Sequence, residues 1–188
     1  MVLERMEESE LNDVIKFFEM SGELKRILRS GWVDVGVDSP ESVADHTFRT
    51  AILCMTVSAL ENLDELRMIQ MALLHDLPEV ITGDLKPSEK TERPLEREDA
   101  AMEQLLSLLP EGLRERCSKL WCEYREGATK EAKAVKELEK LEMALQAREY
   151  SQMQPSLKSL KRFVDSADRA ISSPGARKLF SCISDLNR

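Results

Sequence analysis

Apolar residues along this chain recur at intervals of three and four, the period of one face of an α-helix. Leu11, Val14, Ile15, Phe18 and Leu24 trace such a stripe near the start. They predict a helix running to about Leu28, with a break at Gly22. From Arg29-Ser30-Gly31-Trp32 to Asp38 the period is lost, and the segment reads as irregular. Ser39-Pro40-Glu41-Ser42 then has the form of a helix start, with proline inside the first turn, so a second helix is expected from Glu41 to Leu60. Asp64 suits the N-cap of a third, from Glu65 to about Val80. Leu73, Leu74, Leu77 and Val80 on that helix would face the core.

Gly83 followed by Pro87 marks a helix exit. The charged stretch from Lys86 to Arg97 carries two prolines and reads as a loop. A helical pattern resumes from Leu95 to Leu109, is interrupted at Pro110-Glu111-Gly112, and continues from Leu113 to Tyr124, where Gly127 closes it. A long helix is expected from Lys130 to Tyr150, with Val135, Leu138, Leu141, Met143 and Leu145 on its apolar side. Pro155 and Ser173-Pro174-Gly175 bound two further short helices. Strand-like alternation and internal repeats are absent from the sequence. The expected fold is therefore all-α: one helical domain over residues 1–188, with its core at about 10–150 and C-terminal helices at 151–188.

Composition supports that picture and narrows the function. The length of 188 residues suits one domain with a full apolar core. Aromatic residues make up only 5%, and the abundance of Leu, Glu, Lys, Arg, Ala and Met favours helices over strands. A formal charge of −8 repels the phosphates of a nucleic-acid polymer. It leaves a small phosphorylated substrate open, because a metal and an arginine can reverse the local field. No apolar run approaches the ~20 residues that cross a bilayer, and the start, Met1-Val2-Leu3-Glu4-Arg5-Met6-Glu7-Glu8, lacks the basic and apolar regions of a signal peptide. Four cysteines without a CxxC pair fit reduced thiols in the cytoplasm. Cys54, within Ala51-Ile52-Leu53-Cys54-Met55, is expected in the core.

The two histidines carry the chemistry. His46 follows Glu41-Ser42-Val43-Ala44-Asp45, and His75 stands in Ala72-Leu73-Leu74-His75-Asp76-Leu77-Pro78-Glu79. A carboxylate in so apolar a helix is costly to bury unless something compensates it. A divalent cation would do so, and imidazole with carboxylate suits borderline metals. On a continuous helix Glu79 lies four residues from His75 and three from Asp76, so all three could overlook one cavity. A locally hydrogen-bonded His-Asp pair without a metal is the competing reading.

The wider text resembles the HD-domain metal phosphohydrolases. Arg29-x-Gly31-Trp32, Pro40-Glu41-Ser42-Val43-Ala44-Asp45-His46, His75-Asp76-x-x-Glu79-x-x-x-Gly83-Asp84 and Lys136-x-Leu138-Glu139-Lys140-x-Glu142-Met143-x-Leu145-Gln146-Ala147-x-Glu149-Tyr150 are similar, in order, to the 5′-deoxynucleotidase branch of that superfamily. The resemblance implies an all-helical HD-domain bundle, a homodimer, and removal of phosphate from nucleoside 5′-monophosphates with Mn²⁺, Co²⁺ or a similar ion. It implies His46, His75, Asp76 and the residue at 139 as metal ligands. That last position is Asp in the family pattern and Glu139 here, which puts metal affinity or metal choice in question; Glu142 and Glu137 stand nearby, with Glu137 facing away if Glu139 faces in. The resemblance further implies Arg29 as phosphate clamp, Trp32 beside the sugar, Glu79 as the group that positions or deprotonates water, and Asp84 beside the sugar and leaving oxygen. The partners so implied are a small-molecule nucleotide, with no nucleic-acid polymer and no membrane. Competing readings are a phosphodiesterase or triphosphohydrolase on the same scaffold, and a helical binding protein that has lost catalysis.

Overall fold

The computed structural model describes residues 3–85 and 94–185, and every regular element among them is helical. Beside three single 3-10 turns at Leu3–Arg5, Glu23–Lys25 and Lys158–Leu160, the α-helices in chain order are α1 (Glu8–Gly22), α2 (Ser30–Val35), α3 (Val43–Glu61), α4 (Glu65–Leu74), α5 (Glu79–Thr82), α6 (Pro94–Leu106), α7 (Glu111–Glu126), α8 (Lys130–Met153), α9 (Lys161–Ala170) and α10 (Pro174–Asp185). The all-α expectation holds. The charged stretch read as a loop falls, at 86–93, outside the described residues, and Pro94 already opens α6.

Helices α3, α4 and α8 pack on one another around the main core, with α7, α9 and α10 closing against them. Met68, Met71 and Ala72 of α4, Cys54 and Val57 of α3, and Val135, Leu138 and Leu141 of α8 meet there, all withdrawn from solvent. Cys54 is in the core as expected. Its thiol is pushed up to about 12 by burial, so it is an inert packing group. A second, smaller cluster joins Trp32 and Val37 to Ala147, Tyr150 and Leu160.

The helix ends are written locally. Ser42 accepts from the Asp45 N–H and Asp45 reaches back to the Ser42 N–H at 2.9 Å, a reciprocal cap that opens α3 at Val43, three residues before His46. Asp64 caps α4 and Thr129 caps α8 through their side chains. Gly36 and Gly127 take the left-handed conformation that ends α2 and α7.

Four local expectations are corrected. Residues 30–35, read as irregular, form the short helix α2; with only six residues it has too few positions to show a period. The helix expected to run from Glu65 to Val80 ends at Leu74. Pro78 has no N–H for the Leu74 carbonyl, which accepts from Leu77 at 3.1 Å instead. The chain therefore turns through 75–78 and restarts as α5. Leu73 is 52% exposed rather than in the core, and Ile15 and Phe18 of the first stripe are likewise exposed. The helices expected from Glu41 and Leu113 begin at Val43 and Glu111.

Candidate metal centre and active site

Two local features bring the site together. An isolated antiparallel bridge between Leu28 and Ser42 joins the end of the first helical segment to the start of α3. Its hydrogen bonds, Arg29 N–H to Glu41 O at 3.0 Å and Val43 N–H to Ile27 O at 2.8 Å, set Arg29 beside the first turn that carries His46. The turn after α4 presents His75 and Asp76 to the same place. A cavity of about 520 Å³ results. All eight residues singled out from the sequence line it: Arg29, Trp32, His46, His75, Asp76, Glu79, Asp84 and Glu139.

Three donor atoms converge at its floor. The Nε2 atoms of His46 and His75 stand 3.4 Å apart. An Asp76 Oδ2 lies 3.1 Å from the His75 nitrogen and 3.8 Å from that of His46. Two ligands each ~2.1 Å from one cation are separated by roughly 3.0–3.4 Å at octahedral to tetrahedral angles, so the spacing suits a single ion. The other ring nitrogens are engaged: His75 Nδ1–H donates to the Ala72 carbonyl at 2.6 Å, and His46 Nδ1–H donates to Glu142. Both rings are thus held with an Nε2 lone pair facing the cavity. The donor set and its orientation fit a divalent metal ion of the borderline type.

Charge around this floor is dense. Arg29 lies 3.1 Å from Asp76, 3.7 Å from Asp84 and 3.9 Å from Glu79. Burial works against its charge, but those three carboxylates outweigh it and hold the pKa above the ordinary value. Burial likewise opposes ionisation of Asp76, yet His75, Arg29 and His46 keep its carboxyl well below the usual range. Glu79 goes the other way. Burial and the neighbouring charges of Asp76 and Asp84 push it up to about 10 in spite of Arg29. Its Oε2 is buried without a hydrogen-bond partner among the described residues, a polar atom left facing the cavity. Asp84 is anchored by the Ser30 N–H at 2.6 Å, so the first residue of α2 fixes it.

Glu139 lines the cavity, but its oxygens lie outside the tight group formed by His46, His75 and Asp76. The Tyr124 hydroxyl donates to one oxygen at 3.1 Å and Lys140 to the other at 2.8 Å. Burial raises its pKa, but Lys140 and His75 prevail and bring it to about 2. Glu137 does face away, binding Ser172 and Ser173 before α10. Glu142, the other nearby acid, is spent on His46 and Arg49. Trp32 serves packing and cavity together. Its ring lies against Tyr150 and Phe163, with centroids 5.3 and 4.0 Å away, and its Nε1–H donates to Glu41 at 2.8 Å. Glu41 is pushed up to about 8 by burial and by Glu142. Sequence reasoning singled out neither Glu41 nor the walls supplied by Trp121, Tyr124 and Phe163. Nothing in the local text distinguishes those aromatics from core residues.

Comparison with known proteins agrees with this geometry. The family model described as HD domain matches residues 21–176. The chain is 41% identical over 170 residues to the 5′-deoxynucleotidase HDDC2 of Mus musculus, covering 89% of this chain and 85% of that protein. It is 39% identical to the protein of the same name from Homo sapiens, covering 89% and 83%. Among solved structures, a conserved hypothetical protein from Pyrococcus furiosus superposes with a TM-score of 0.77 at 30% identity, covering 91% of this chain and 99% of that one.

Proposed function

The chain belongs to the HD-domain family, in its 5′-deoxynucleotidase branch, and from that premise we propose that it hydrolyses the phosphate ester of deoxynucleoside 5′-monophosphates with one divalent metal held by His46, His75 and Asp76. The observation that carries the assignment is the convergence of two oriented imidazole Nε2 atoms and a carboxylate oxygen on the floor of a cavity that also holds an arginine. Mn²⁺ and Co²⁺ are the ions we assign, with Glu139, which lines the same cavity, as the fourth protein ligand.

When bound, such an ion lowers the pKa of water and offsets charge on phosphoryl oxygens. The protein's own groups do the rest. Arg29 grips two phosphate oxygens through its planar fork; in the free site Asp76, Glu79 and Asp84 hold that fork in place. Glu79, which the free site holds protonated, positions the attacking water through a buried oxygen that no described residue engages. Asp84, fixed by Ser30, faces the sugar and the leaving 5′ oxygen. Trp32, locked by Glu41, Tyr150 and Phe163, forms a rigid wall for the sugar. Holding ester and water in register supplies much of the acceleration in such chemistry.

The deciding experiment is a phosphate-release screen over nucleoside 5′-monophosphates, cyclic diesters and triphosphates, with Mn²⁺, Co²⁺ or Mg²⁺ added to protein stripped of metal. Release from deoxynucleoside monophosphates alone supports the reading; preference for a diester or triphosphate overturns it.

We also propose a homodimer in the cytoplasm. Phe48, Ile52 and Met55 of α3 and Leu73 of α4 are exposed along one apolar groove, with Phe48 at 68%, and all four cysteines are free thiols. No described helix is long and apolar enough to cross a membrane.

A further inference from the structure

Glu142 sits on α8, yet its carboxylate is spent on α3. It is 0% exposed. One oxygen accepts from His46 Nδ1 and the other from Arg49 Nε at 2.8 Å. Arg49 stands one turn beyond His46 on the same helix and also grips Gln146 and both oxygens of Glu149, the next two turns of α8. A carboxylate withdrawn from water is strongly destabilising unless its charge and lone pairs are met, and here a ring N–H and a guanidinium meet them. The same core could have been closed with an apolar residue of similar volume. A buried acid placed on the back of a ring whose front faces the cavity needs a reason in that ring.

The two rings are supported differently. His75 Nδ1 is bound to a backbone carbonyl, Ala72 O, which fixes its tautomer but brings no charge. His46 Nδ1 is bound to a carboxylate. A carboxylate in that position fixes tautomer and ring angle and makes Nε2 a stronger donor. We propose that Glu142, clamped by Arg49, is a positioning residue that holds His46 with Nε2 directed at the metal and strengthens it as a ligand. The proposal rests on His46 being a ligand, as assigned above. Arg49 acts one step further out: it neutralises Glu142 and sets the angle at which its oxygen meets the ring. Neither residue touches substrate.

Titration calorimetry of the full chain with Mn²⁺ alone tests this. Glu142→Gln keeps size and an acceptor oxygen but removes the charge, and is expected to weaken Mn²⁺ binding about 10- to 100-fold. Arg49→Met should weaken it less, while Glu149→Gln, at the solvent end of the network, should leave it unchanged. Glu142→Gln that folds, by circular dichroism, and binds Mn²⁺ like the wild type would overturn the proposal even if its melting temperature fell. Wild-type protein that binds no Mn²⁺ at all would instead sink the functional reading, so the two failures are distinct. Because the variant can fail to fold, a second measurement uses the wild type. Nitrogen-15 spectra of the metal-free protein, with its rings neutral, should show His46 protonated on Nδ1, with that proton far downfield. An Nε2-protonated His46 refutes the proposal.

Discussion

At the scale of single residues, Glu139 is the assigned ligand that stands apart from the tight donor group of His46, His75 and Asp76. Its carboxylate is held by Tyr124 and Lys140 beside that group. If Glu139 ligates, Glu139→Asp keeps or raises the rate and Glu139→Gln weakens metal binding, because a neutral amide offsets no cationic charge. Metal titration and phosphate release both read this; a pair of variants indistinguishable from wild type would remove Glu139 from the shell. Arg29 gives the complementary case. Arg29→Ala should lose on the order of 2–5 kcal/mol of transition-state binding, as when one side of a buried charge pair is truncated, while Mn²⁺ still binds. Steady-state kinetics beside calorimetry separates the two, and an unimpaired kcat/KM would take Arg29 out of the site.

At the scale of elements, helix ends do the placing. His46 enters from the first turn of α3, and the Ser42–Asp45 cap determines where that turn begins. Ser42→Ala should cost about 1 kcal/mol of stability, measurable by urea denaturation, with the number of metal ions bound per chain unchanged. His75 and Asp76 lie not within a long helix but in the turn that Pro78 imposes after α4. The turn spreads His75, Asp76 and Glu79 around one cavity, where a straight helix would have stacked them along a single face. Glu79 then begins its own short helix and lines the same cavity. The expectation that these three overlook one cavity holds, although the continuous helix on which it rested does not exist.

At the scale of the whole molecule, acid should unfold the protein through carboxylates whose pKa the fold depresses. Glu123 is one away from the active site: its hydrogen bonds to Arg67 outweigh its burial, with a further one from Thr129, and hold its carboxyl below the usual range. Such a group contributes stability above its unfolded pKa and loses it as pH falls through the folded value. The melting temperature should thus drop below about pH 4.5, and Glu123→Gln should make that acid limb shallower; an identical limb would show that the Arg67 pair contributes nothing. A second global expectation concerns assembly. Sedimentation equilibrium should give a dimer for the wild type, and Phe48→Glu should shift it to monomer, since a charge in the centre of an apolar interface is left unpaired. A wild-type monomer at micromolar concentration would refute the dimer.

Local rules and the linear text determined much of this protein. Three- and four-residue periodicity specified the helices, because one buried face per helix is what an all-α core requires. Caps such as Asp64 and stops such as Gly127 were legible because they act within a turn of themselves. Eight of the residues that line the cavity could be picked out because their order along the chain resembles a family text. Tertiary structure alone decided three other matters. Periodicity shows that a face is apolar but not what covers it, so Leu73 reads as core and Phe18 as part of an apolar stripe, and both stand exposed. The walls Trp121, Tyr124 and Phe163 are contributed by helices distant in sequence, and an aromatic on a buried stripe looks the same whether it faces a core or a cavity. The contact between Glu142 and His46 spans 96 positions. It exists only because α3 and α8 pack side by side, and a glutamate in a helix carries no mark of which distant ring it will support.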